Sequence, residues 1–171
     1  MPLEEDVKDI WNLIKSTRIL DLNSAYSYLL LAKYFKDTCV VAVTAGRIIG
    51  FISAFIPPQQ PEVIFVWQVA VDERFRRQGL GMSMLKHLLA RDVCHSINYL
   101  NITVNPSNEA AITLYRKLAE ELKTSCRGDL CFPTRLFPGE QHEEEIMLHI
   151  GPLLQGKHEK EVYFREQYES F

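Results

Sequence analysis

The chain has 171 residues, 47% hydrophobic and 24% charged, the balance of a globular protein with one sizeable core. Its net charge of −3 provides no overall basic surface for nucleic acid, and no apolar run reaches the ~18 residues that a membrane span needs. The opening Met1-Pro2-Leu3-Glu4-Glu5-Asp6 is acidic where a signal peptide would be basic, so a cytoplasmic protein is expected. Cys39, Cys94, Cys126 and Cys131 include no Cys-x-x-Cys pair and read as buried or idle thiols. The histidines lack metal-ligand spacing, and no metal is expected.

Val7, Ile10, Trp11 and Ile14 recur at helical spacing and predict a first helix over 4–15. Asp21-Leu22-Asn23-Ser24 reads as a turn and helix start, with a second helix over 23–36. Residues 38–44 and 48–56 are β-rich runs around Ala45-Gly46-Arg47, which predicts a hairpin. After the proline-rich break 57–61, Val63 to Val71 is the most apolar strand, of the kind usually covered on both faces. A leucine-rich helix is predicted over 79–91 and a strand over Tyr99–Val104. Asn105-Pro106-Ser107 opens a further helix to about Leu122, with the proline read as part of its first turn. Short strands are expected near Ser125–Phe132 and Glu145–Ile150. The charged segment 155–171, with Tyr163, Phe164 and Tyr168 interleaved, is expected to be a tail beyond a domain of residues 1–154. The order ααβββαβαββ predicts one α/β domain around a mixed sheet.

The segment from Val69 to Gly81 carries the chemistry. A strand ends, a basic loop with Arg74, Arg76 and Arg77 follows, and Gly79-Leu80-Gly81 opens a helix. Helix N-termini present unpaired N–H groups and a positive dipole end, and glycine allows an anion to come close. The expected ligand is a pyrophosphate. No Gly-Lys-Ser/Thr is present, and Met84 stands where a dinucleotide fingerprint would have its third glycine. An ordinary basic loop before a helix is the alternative.

Arg76-Arg77-Gln78-Gly79-Leu80-Gly81 resembles the Arg/Gln-x-x-Gly-x-Gly/Ala signature of the GCN5-related N-acetyltransferase superfamily. The resemblance implies that superfamily's fold, a mixed central sheet flanked by helices. It implies that Arg76 to Gly81 hold the pyrophosphate of acetyl-coenzyme A. It also implies that the strand around Val69, Ala70 and Val71 pairs with the pantetheine arm. A second signature runs from Asn105 to Tyr115. By resemblance Asn108 contacts the cofactor, and Tyr115 protonates the departing thiolate. Core packing is the alternative for Tyr115. Two departures stand out: the superfamily's first strand is absent or trimmed here, and its usual Gly-Phe is replaced by Ala119-Glu120-Glu121-Leu122.

Asp21 to Leu31, Thr38 to Ala42, Gly50 to Ser53, Phe65 to Val71 and His142 to Glu145 resemble a narrower branch. That branch acetylates the γ-amine of L-2,4-diaminobutyrate on the route to ectoine, a compatible solute. This resemblance implies a small diamine substrate and a homodimer. A diamine calls for acidic groups and aromatic or polar walls. Asp21 is the first candidate, with a helix-cap role as its alternative. Trp67 is next, with core packing as its alternative, although its indole N–H needs a partner. Tyr26, Asn105, His142 and Glu145 follow. The central strand offers no internal acid, so the general base is unassigned. Other small-amine or peptide acetyltransferases remain open, as does a non-catalytic acetyl-coenzyme A sensor.

Overall fold

Two compact units are built from this chain, one from Met1–Phe55 with Gln68–His95, the other from Ile56–Trp67 with the described part of 96–155. The computed structural model describes residues 1–138 and 142–153, so the expected tail from 155 lies outside the described residues.

In the first unit, a short 3-10 turn at Glu4–Asp6 leads into α1 (Val7–Thr17), which ends at Arg18 in the left-handed region, φ 57°. The apolar stripe of α1 is buried: Val7, Ile10, Leu13 and Ile14. Helix α2 (Ala25–Tyr34) is capped by Ser24, whose hydroxyl accepts from the Ser27 N–H. The cap is therefore Ser24 and not Asp21. Strands β1 (Val40–Thr44) and β2 (Arg47–Phe55) form the predicted antiparallel hairpin. Ala45 and Gly46, at φ 45° and 73°, make a two-residue turn whose positive dihedrals match strand twist.

Strand β3 (Val63–Val71) has the predicted bounds and runs through both units. Helix α3 (Leu80–Leu89) follows in the first unit. Helices α1 and α2 share one buried cluster with the sheet, including Ile10, Ile14, Tyr28, Leu31, Phe51 and Ala70. Tyr28 meets Phe51 edge to face at 6.2 Å. At Gly50 an added Cβ would stand 2.8 Å from Met84 Sδ, so glycine there lets α3 approach β2. Arg91 Nη1 donates to the Asp37 and Cys39 carbonyls at 2.9 and 2.7 Å and fastens the chain after α3 to the start of β1.

The second unit continues with β4 (Tyr99–Val104), α4 (Glu109–Glu121), β5 (Ser125–Phe132) and β6 (Glu145–Gly151). Strand β4 runs parallel to the first half of β3 and antiparallel to β6, and β6 pairs antiparallel with β5. The six-stranded mixed order is β1-β2-β3-β4-β6-β5. Leu100, Ile102, Val104, Leu148 and Ile150 are buried, as are Tyr115, Leu118 and Ala119 on α4. The helix begins later than the sequence suggests. Asn108 is its N-cap, accepting from Ala111 N–H at 3.1 Å, and Pro106 precedes the helix rather than entering its first turn. The described chain opens on helix, as expected, with no strand before α1 among the described residues.

Candidate functional site

In the first unit, Arg77 and Gly79 both adopt the left-handed region, at φ 61° and 80°. They turn the chain so that it enters α3 without a side-chain cap. Among the described residues, no backbone N–H from Arg77 to Met82 donates a hydrogen bond within the chain. Six consecutive donors at a helix N-terminus suit the oxygens of a pyrophosphate. Nothing lies within 4 Å of a Cβ placed on Gly79, so its surface is open to a ligand. Leu80 is buried, so its N–H, not its side chain, is what it can offer.

The three arginines are not equivalent. Arg74 grips Asp72 with two hydrogen bonds of 3.0 and 2.9 Å, and this pairing holds the Asp72 carboxyl below its ordinary range. Its charge is answered locally, which corrects the expectation that Arg74 adds to the positive mouth. Arg76 Nε donates to the Val71 carbonyl at 3.1 Å and holds the loop against the strand end. Arg77 is exposed. Beside the loop lies an open cavity of ≈ 720 Å³ whose lining includes Lys15, Arg18, Glu73 and Arg76.

Strand β3 supplies the second feature. Its pairing with β4 runs only from Val63–Tyr99 to Val66–Ile102. From Trp67 to Val71 its backbone lacks that ladder, which is the edge an extended amide-bearing chain can join. Ala70 points into the core, so of its groups only the backbone can meet such a chain, while Val69 and Val71 are half-buried.

Within the second unit, Asn105 and Glu145 come together, and His142 lies against Phe137. Asn105 Nδ2 donates to Glu145 Oε1 at 3.0 Å. Glu143 takes the Ser107 N–H at 3.2 Å and the Ser107 hydroxyl at 2.6 Å. The His142 ring stacks on Phe137, with centroids 3.7 Å apart. Sequence reading missed Ser107, Phe137 and Glu143. The run Glu143-Glu144-Glu145 beside His142 was the available signal for Glu143. Trp67 is 36% exposed, so it is not the core residue its alternative role would make it.

Tyr115 is buried on α4. Burial pushes its phenol pKa above the usual value, which keeps it protonated at neutral pH. In the first unit, Tyr26 stands exposed in the first turn of α2, and the Asp21 carbonyl accepts from Gln68 Nε2 at 2.8 Å.

The model of the Acetyltransferase (GNAT) family matches residues 6–119. This chain belongs to the GNAT acetyltransferase family. The acetyltransferase is 48% identical over 153 residues to an L-2,4-diaminobutyric acid acetyltransferase of Halalkalibacterium halodurans, covering 89% of this chain and 80% of that one. It is 46% identical to the corresponding protein of Marinococcus halophilus, covering 88% and 87%. Among solved structures it resembles diaminobutyrate acetyltransferase EctA from Paenibacillus lautus, in complex with its substrate L-2,4-diaminobutyric acid and coenzyme A. That match has a TM-score of 0.87 at 43% identity and covers 91% of this chain and 94% of that one. The expected fold is thereby confirmed.

Proposed function

We propose that this protein transfers the acetyl group of acetyl-coenzyme A to the γ-amine of L-2,4-diaminobutyrate. The product is N-γ-acetyl-L-2,4-diaminobutyrate, on the route to ectoine, a solute of osmotic stress. The observation that carries this reading is the near full-length likeness to an enzyme solved with that diamine and coenzyme A. The row of open N–H groups from Arg77 to Met82 and the unladdered edge of β3 fit the diphosphate and pantetheine of the donor. Asn108, as the cap of α4, is assigned to the same ligand through its remaining amide group.

Acetyl-coenzyme A supplies an activated thioester. The acceptor amine must be unprotonated to attack it. A side-chain ammonium titrates near ~10, and the neighbouring α-ammonium lowers that value by repulsion. Asp21 and Glu145 supply negative charge for the substrate's ammonium groups. Asn105 holds Glu145, and Trp67, Tyr26 and His142 provide aromatic walls. Tyr115 gives its proton to the sulfur as the C–S bond breaks. The protein acts as a cytoplasmic homodimer in this reading.

Coenzyme A release, followed with a thiol reagent, tests the assignment with diaminobutyrate, ornithine and lysine as acceptors. Turnover that is fastest with diaminobutyrate and yields the γ-acetyl isomer is expected. Absence of release with every diamine overturns it.

A further inference from the structure

Gln68 is the one amide on an otherwise apolar strand, Val63-Ile64-Phe65-Val66-Trp67-Gln68-Val69-Ala70-Val71. It falls on the buried register of β3 with Ile64, Val66 and Ala70, and is itself 4% exposed. An amide at such a position is costly unless its groups are paired. Here all are. The backbone N–H donates to Ser53 Oγ at 3.1 Å. Oε1 accepts from the Tyr28 hydroxyl at 3.1 Å, and Nε2 donates to the Asp21 carbonyl at 2.8 Å. The Tyr28 oxygen also receives the Asn23 N–H at 3.4 Å, so its proton is directed to Gln68. Trp11 Nε1 donates to the Asn23 carbonyl at 3.2 Å. Three side chains, from α1, α2 and β3, thus hold three backbone atoms of residues 21–23.

An apolar residue of similar size would fill this space, but it would leave the Tyr28 hydroxyl and the Asp21 carbonyl without this partner. What an apolar residue cannot do is grip the carbonyl of Asp21. We propose that Gln68 is a positioning residue for the acceptor amine: it fixes the backbone at Asp21 so that the Asp21 carboxylate meets the ammonium of the diamine. The proposal rests on the substrate assigned above. An offset of an ångström in such a contact is enough to lower catalytic efficiency markedly.

The test is steady-state kinetics on Gln68→Met, which keeps the length of the side chain, and on Gln68→Glu, which keeps an acceptor for Tyr28 but loses the donor to Asp21. In both, KM for diaminobutyrate is expected to rise about tenfold, the effect of losing one hydrogen bond to a positioned group, while KM for acetyl-coenzyme A stays within about twofold. In an Asp21→Asn background the Gln68→Met change is expected to add no further rise, since its effect passes through Asp21. A purely structural role would raise both KM values together or add its full effect in that background, and either result overturns the proposal. An active wild type with unchanged diaminobutyrate KM in both variants overturns the positioning role alone. A wild type inactive on every diamine overturns the substrate assignment and this role with it.

Discussion

The Asn105 side chain donates to Glu145 at 3.0 Å, joining residues 40 apart in sequence at the end of β4 and the start of β6. The bond aims a carboxylate that the substrate assignment gives to an ammonium group. Glu145→Gln is expected to lower kcat/KM for diaminobutyrate by roughly 10–100-fold, the range for losing a charged hydrogen bond, with KM for acetyl-coenzyme A little changed. Equal losses for both substrates would place Glu145 in the frame of the unit and not in acceptor binding.

Tyr115→Phe keeps the buried ring on α4 and removes only the hydroxyl, so melting temperature should move little. Turnover at saturating substrates should fall by about 10²-fold or more, the usual contribution of a general acid. Burial raises the Tyr115 pKa, so the phenol stays protonated across the neutral range. Any alkaline fall in the wild-type rate should therefore lie above the ordinary phenol value, near ~10, and a fall centred well below that belongs to another group.

Gly79→Ala probes the helix mouth. The site has room for a methyl group, but its φ of 80° disfavours a Cβ, at a cost of about 1–2 kcal/mol. Coenzyme A binding, measured by calorimetry, should weaken along with stability. Arg77→Ala should weaken it too, and more so at low salt, whereas Arg74→Ala should change it little because Arg74 is spent on Asp72.

Burial pushes the Cys39 and Cys94 thiols up to about 11. At pH 8 they are almost wholly thiol, the unreactive form. Mass spectrometry after brief iodoacetamide treatment should find Cys126 and Cys131, both half-buried, modified first. Cys39 and Cys94 should react only after denaturant is added. Early labelling of Cys39 would contradict the packing between β1 and its neighbours.

Strands β3 and β4 were legible to the residue because long apolar runs bounded by turn residues have few other readings. The start of α4 was not. Pro106 and Asn108 are both good opening residues, and only the Asn108–Ala111 hydrogen bond decides between them. The turn at Gly79 was readable because a left-handed entry into a helix selects glycine. The Ser107–Glu143 clasp and the Gln68 strut were hidden because their partners lie 36 and 47 residues away. Arg74 was misjudged for the opposite reason: Asp72 sits two residues before it, and charge counting overlooked a pair that close.

Gly50 has a consequence for ligand affinity. Met84 rests where the Gly50 side chain would be, and it follows Gly79 by little more than one helical turn. The height of that turn above β2 is therefore governed from inside the protein. A methyl group at position 50 would first displace the flexible end of the buried Met84 side chain, and any shift of α3 that follows would carry the N–H row of Arg77 to Met82 with it. On the proposed site, coenzyme A affinity then becomes a gauge of interior packing, and a substitution out of reach of solvent would be detected as a poorer grip on the diphosphate.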